Sequence, residues 1–191
     1  AVVPVSFNLS RMDFITTDVF EVVEDAVKRN NIPRENIHVE ITESMLVSDA
    51  ESVSRDMDRF HEAGYQVWMD DFGSGYSSLN VLKDYKFDVL KIDMTFLSSF
   101  TEKSKAIISS IVDMAKKIGV QTLAEGIETK EQYEFLREIG CEKVQGYFFG
   151  RPRPCETTLI DEPGGMKTVE PMEWHDYYDA IGRVNEITEM P

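Results

Sequence analysis

The chain has 191 residues, 42% hydrophobic and 29% charged, which suits a soluble globular domain with a sizeable core. Its 35 acids outnumber 20 Lys plus Arg, for a formal net charge of −15. That balance argues against long nucleic acid or an anionic membrane as partner, and a phosphate-bearing ligand would need metal ions for counter-charge.

Cys141 and Cys155 are the only cysteines and form no Cys-x-x-Cys pair. They read as reduced thiols of a cytoplasmic protein. No apolar run approaches the roughly 18 residues of a membrane span. Ala1 to Phe7 lack the basic flank of a targeting segment and look like a strand entered abruptly, as if chain preceded it.

Strand-like and helix-like segments alternate from the start. Val5 to Leu9 reads as a strand. Thr17 or Asp18 can cap a helix with Val19, Phe20, Val22, Val23, Ala26 and Val27 as its apolar stripe. Ile37 to Glu43 alternates as a strand, Ser48 opens a helix carrying Val53, Met57 and Phe60, and Gly64 closes it. Tyr65 to Met69 is a strand that runs into Asp70-Asp71-Phe72-Gly73-Ser74-Gly75-Tyr76-Ser77-Ser78, followed by an irregular stretch around Leu79 to Leu82. Phe87 to Asp93 is the next strand. A helix with Ile107, Ile108, Ile111, Val112, Met114, Ala115 and Ile118 follows, then a strand from Val120 to Gly126. Thr129 to Gln132 is a capping box for a helix reaching Gly140, and Lys143 to Phe149 is the last strand. Met57, Met69, Met94 and Met114 read as core. Residues 1–159 form the main domain and 160–191 a tail, with a turn at Asp161 to Gly165 and a helix over Trp174 to Val184.

Alternating units of this kind predict a parallel sheet with helices outside it. A closed (β/α)8 barrel takes about 200–250 residues, and this chain supplies about six of the eight strands. Polar residues recur near the strand ends: Asn8, Glu40 with Glu43, Asp70 with Asp71, Lys91, Glu125 and Gln145. Each alone is a cap or turn partner. Together on one barrel rim they describe a site for one or two hard divalent cations with a proton-handling group beside it. Vicinal Asp70 and Asp71 repel each other unless a cation offsets them.

The motifs Asn8-Leu9-Ser10, Glu40-Ile41-Thr42-Glu43-Ser44, Asp70 to Leu79, Leu90-Lys91-Ile92-Asp93, Ala124-Glu125-Gly126-Ile127-Glu128-Thr129 and Gln145-Gly146-Tyr147 stand in one order. In this order they closely resemble the EAL-domain family of cyclic di-GMP phosphodiesterases, from about Val5 to about Pro154. The resemblance implies a TIM-barrel-like (β/α)8 fold with one antiparallel strand, and hydrolysis of cyclic di-GMP to linear pGpG with Mg2+ or Mn2+ in bacterial signal transduction. It implies Asn8, Glu40 and Asp70 as metal ligands, with Asp71 and Glu125 completing a second site and Asp70 bridging. Lys91 would orient the attacking water and contact a phosphate, and Gln145 would hold that water or the substrate. Glu43 would anchor the Asp70–Ser78 loop, in which Gly73, Ser74, Gly75, Tyr76 and Ser77 face the substrate. The pleat separates Glu40 from Glu43, three residues apart. Ser74 stands where the family usually has threonine.

The Glu-Ala-Leu motif itself, which carries a further metal ligand, does not occur in this sequence. The N-terminal strands are therefore expected to be missing, so that hydrolysis would depend on a glutamate from outside these residues. A homodimer and an upstream sensor or GGDEF-type domain also fit the resemblance. Two rival readings stand beside the enzyme: a non-catalytic cyclic di-GMP receptor or scaffold, and an enolase-type lyase. The lyase needs a second lysine or a histidine base, and His38, His61 and His175 lie off the rim.

Overall fold

The computed structural model describes residues 4–48, 50–73, 79–154, 183–184 and 187–189. Two compact units make up the chain, Ala1–Asp93 with Met114–Thr122, and Met94–Asp113 with Leu123–Pro191.

In the first unit four strands lie side by side in chain order, all parallel: β1 (Val5–Leu9), β2 (Ile37–Thr42), β3 (Gln66–Phe72) and β4 (Val89–Ile92). Parallel neighbours need crossovers, and these are α1 (Arg11–Thr16), α2 (Val19–Arg29), α3 (Glu43–Ser48), α4 (Ala50–Ala63) and α5 (Leu79–Asp84). Asp18 caps α2, accepting the Glu21 N–H at 3.2 Å. The expected stripe of α4 is fully realised, with Val53, Met57 and Phe60 buried. On β2 not only Val39 and Ile41 but also His38 and Glu40 are buried, as in a parallel strand covered on both faces.

Three expectations change here. Leu79 to Leu82 is not irregular but opens α5, whose Val81 is buried while Leu79 stays exposed. Glu43 does not end the strand. The β2–β3 register closes at Thr42 opposite Asp70, and Glu43 is the first residue of α3, where a carboxylate meets the positive end of the helix dipole. The pleat therefore does not separate Glu43 from Glu40. Val22 is also exposed, so α2 buries a narrower stripe centred on Val19 and Val27.

The second unit contains α6 (Thr95–Ser98), α8 (Lys130–Glu138) and β6 (Lys143–Gln145), while α7 (Glu102–Ile118) and β5 (Gln121–Glu125) contribute residues to both units. Thr129 and Gln132 form the expected capping box: the Gln132 N–H donates to Thr129 Oγ1 at 3.2 Å, and Gln132 Oε1 accepts the Thr129 N–H at 3.0 Å. Ile108, Val112 and Ala115 of α7 are buried, whereas Ile107 and Ile118 are exposed at the stripe's margin. Met94 is exposed rather than core. β5 and β6 are parallel, and β9 (Ile187–Glu189) joins β6 antiparallel, with Lys143 opposite Glu189. Between them in sequence, β7 (Arg153–Pro154) and β8 (Arg183–Val184) form a short antiparallel ribbon. Arg183 and Val184 thus belong to a strand and not to the expected terminal helix. The remainder of that helix, the 161–165 turn and the boundary at 159/160 lie outside the described residues.

Candidate active site

The first unit gathers its polar residues by strand register. Asn8 lies opposite Glu40, and Thr42 opposite Asp70. Between the pairs Met69/Leu90 and Phe72/Ile92, β3 advances three residues while β4 advances two. One residue of β3 is therefore bulged, and Asp70-Asp71 occupies the bulge. Bulges re-aim side chains at the ends of strands. Asp71 completes it in the left-handed region, at φ +57°, a conformation aspartate tolerates better than most residues. The outcome is a buried Asp70, an exposed Asp71 and a buried Phe72.

Lys91 lies on β4, all four of whose residues are buried. Its Nζ donates to Glu40 Oε2 at 2.6 Å and stands 2.7 Å from Asp70 Oδ1. The three side chains are 7%, 4% and 11% exposed, so this is a buried carboxylate–ammonium–carboxylate cluster. The Asp70 contact is an ion pair by distance but lacks hydrogen-bond alignment. Asp70 Oδ1 is a buried oxygen with no hydrogen bond, a costly state unless charge compensates it.

More negative charge surrounds the cluster. Asp71 has its carboxyl held above the usual range, by loss of hydration first and then by the charges of Asp70 and Asp93, with Lys91 pulling the other way and Glu40 adding to the rise. Asp93 is buried just beyond β4, its N–H donating to the Phe72 carbonyl at 3.4 Å. Asp93 closes the Leu90-Lys91-Ile92-Asp93 motif, to which the resemblance assigns no role for it; an acid two residues after the strand-end lysine is its signal in the sequence. Glu43 is buried and Asn8 exposed. Gly73 is half-buried, while Ser74, Gly75, Tyr76 and Ser77 lie outside the described residues.

In the second unit Glu125 and Gln145 end β5 and β6 directly opposite each other, both half-buried. The turn after them is tight. Ile127 N–H donates to the Gln145 carbonyl at 3.1 Å, and the Phe148 N–H to the Ile127 carbonyl at 2.9 Å. A Cβ at Gly146 would sit 2.2 Å from Ile127 backbone atoms, so only glycine fits.

Among the described residues no histidine stands at these strand ends. His38 stacks on Trp68 with ring centres 4.4 Å apart, and His61 donates to Asp88 at 3.1 Å. His175 lies outside the described residues.

Among the described residues no group of three or more His, Cys, Asp and Glu side chains is drawn together to hold a metal ion. Glu40 and Asp70 turn to Lys91 instead. The chemistry of the donors nonetheless fits a hard cation. Glu40, Asp70, Asp71 and Asp93 outweigh one ammonium, and Asp70 Oδ1 has an unused buried lone pair.

Comparison with known proteins decides the family. The sequence model of the EAL domain matches residues 1–152. The chain belongs to the EAL-domain family. This EAL domain is 35% identical over 157 residues to the bifunctional diguanylate cyclase/cyclic di-GMP phosphodiesterase MucR of Pseudomonas aeruginosa, covering 81% of this chain and 23% of MucR. It resembles the solved MucR phosphodiesterase in complex with cyclic di-GMP at a TM-score of 0.76 and 34% identity, over 82% of this chain and 70% of that one. A Klebsiella pneumoniae BlrP1 structure with manganese and cyclic di-GMP matches at a TM-score of 0.73 and 25% identity, over 78% of this chain and 38% of that one. The fold is therefore the TIM-barrel-like EAL fold, to which the first unit contributes the parallel strands β1 to β4 and the second the parallel pair β5 and β6. The chain spans about a fifth of the length of the curated relatives it matches, such as MucR. No helix among the described residues is long and apolar enough to cross a membrane.

Proposed function

We propose that this EAL domain hydrolyses cyclic di-GMP to linear pGpG with the help of Mg2+ or Mn2+ once a glutamate from outside these residues completes the metal site beside Asn8, Glu40 and Asp70. The observation that carries the reading is the buried Glu40–Lys91–Asp70 cluster, in a family member whose solved relatives bind cyclic di-GMP and, in BlrP1, manganese. Asn8, Glu40 and Asp70 would hold one ion, and Asp71 and Glu125 a second, with Asp70 shared. When bound, such ions supply Lewis acidity, neutralising the phosphodiester and lowering the pKa of the attacking water.

The chain's own side chains have separate tasks. Lys91 offers an ammonium to a phosphate oxygen and orients the water. Gln145 holds that water or the substrate. Glu43 anchors the Asp70–Ser78 loop, whose Gly73, Ser74, Gly75, Tyr76 and Ser77 contact the substrate. Water adds to phosphorus, one ribose 3′-oxygen leaves with a proton, and the ring opens. Oligomeric assembly as a homodimer, a cytoplasmic location and an upstream sensor or GGDEF-type domain belong to the same reading; the last is supported by the two activities in MucR's name.

Incubation of the domain, joined to an upstream Glu-Ala-Leu strand that supplies the further metal ligand, with cyclic di-GMP and Mn2+, and separation of the products by chromatography, tests it. The expected result is accumulation of pGpG that Asp70→Asn reduces at least a hundredfold, as loss of a central ligand should. Binding of cyclic di-GMP without turnover would replace this reading with the receptor one.

A further inference from the structure

We propose that Lys91 is a displaceable internal counter-ion: without metal its ammonium neutralises Glu40 and Asp70, and a divalent cation must push it aside to bind. The proposal rests on the reading that Glu40 and Asp70 are metal ligands, and it adds a competitor that belongs to the chain itself. Lys91 Nζ lies within 2.7 Å of both carboxylates, and all three side chains are buried. Two carboxylates this close repel strongly in a poorly hydrated site, so the metal-free fold needs a positive charge between them. A flexible four-carbon stem can deliver that charge and withdraw it. The contact with Asp70 is also poorly made. Its Oδ1 is paired by charge but receives no hydrogen bond, so a cation with oxygen-seeking geometry has a lone pair to take.

Two opposite consequences follow. Removing the ammonium leaves buried carboxylates uncompensated and weakens the metal-free fold. The same removal abolishes competition for the ligands and repulsion between ammonium and cation, and so tightens metal binding. A lysine whose only task is to meet substrate or water would produce neither effect in the absence of substrate.

The test needs no turnover. Wild type, Asp70→Asn and Lys91→Met are titrated with Mn2+ by calorimetry and melted with and without it. The expected pattern is loss of Mn2+ binding in Asp70→Asn and binding at least about tenfold tighter in Lys91→Met, the order that removing a nearby positive charge implies. Lys91→Met should also melt lower than wild type without metal and gain the larger shift with it. If Asp70→Asn loses Mn2+ but Lys91→Met binds no tighter than wild type, the counter-ion proposal is overturned and the ligand assignment stands. If Asp70→Asn binds Mn2+ as wild type does, the ligand assignment itself fails. Should Lys91→Met not fold without metal, lysine-ammonium NMR of the wild type decides, with Lys91→Arg assigning the signal. A slowly exchanging ammonium signal, absent from Lys91→Arg, is expected without metal and should be lost or shifted on adding Mg2+. A signal unaffected by saturating Mg2+ would overturn the proposal.

Discussion

Asp71 shows how a single residue carries a cost for the arrangement around it. It is bulged, left-handed and surrounded by Asp70, Asp93 and Glu40. Its raised carboxyl pKa means that its charge at neutral pH works against the folded state. The contribution is favourable only below the ordinary aspartate range and is lost as pH rises through the folded value. Asp71→Asn keeps a residue that accepts positive φ and removes the repulsion. Its metal-free melting temperature at pH 7 is expected to rise by a few degrees at most, while Mn2+ binding weakens. A scanning-calorimetry trace with no gain in stability would show that Asp71 is not held at a disadvantage. The acidic pair and the strand that delivers it were legible in the sequence, because Tyr65 to Met69 is apolar and the acids follow at once. The bulge was not: it exists only as a mismatch in step between β3 and β4, which no stretch of β3 records. The partners of Lys91 were hidden for the same reason, since Glu40 lies 51 residues away.

At the scale of elements, packing overrode local pattern at the boundaries. The stripe of α4 and the cap of α8 were readable because their signals are local. The place of Glu43 is not legible locally, because the end of β2 is set by where pairing with β3 stops. An electrostatic clamp joining α2 to β3 also escaped pattern reading. Glu24 of α2 accepts from Arg34 and, at 2.6 Å, from Tyr65 just before β3, while Lys28 lies 3.1 Å away. Arg34 first and Tyr65 next hold the Glu24 carboxyl well below the ordinary range, and burial followed by the Glu24 bond pushes the Tyr65 hydroxyl up to about 12. A depressed carboxyl stabilises above its unfolded pKa of about 4.3 and loses that contribution as pH falls. A raised phenol stabilises below about 10 and loses it as pH climbs towards the folded value. Glu24→Gln should therefore lower the melting temperature at pH 7 and flatten its fall between about pH 5 and pH 2. An unchanged acid limb would refute the clamp. In the second unit Gly146→Ala is expected to cost about 1–3 kcal/mol or more by forcing Ile127 away. Urea unfolding of the variant measures it, and a loss under about 0.5 kcal/mol, the scale of an ordinary surface change, would mean the turn simply relaxes.

For the whole molecule the governing number is the net charge of −15. Self-repulsion of that size destabilises a compact state and is relieved by any salt. A stabilising effect of Mn2+ is therefore not by itself evidence for a site. The two contributions separate by concentration and by mutation. Screening by NaCl develops over about 0.01–0.15 M, as the Debye length shortens from about 30 to about 8 Å, and it acts on every carboxylate alike. Binding at Glu40 and Asp70 contributes RT ln(1 + [L]/Kd), or about 2.7 kcal/mol at a hundred times Kd. For a chain of this size that is a shift of roughly 5–10 °C. With NaCl fixed at about 0.15 M, where screening is largely complete, millimolar Mn2+ should still raise the melting temperature of the wild type. Asp70→Asn should keep the NaCl response and lose most of the Mn2+ response. Equal responses to Mn2+ in the two proteins would assign the stabilisation to general screening, and the carboxylates at the ends of β2 and β3 would then have no claim to the metal.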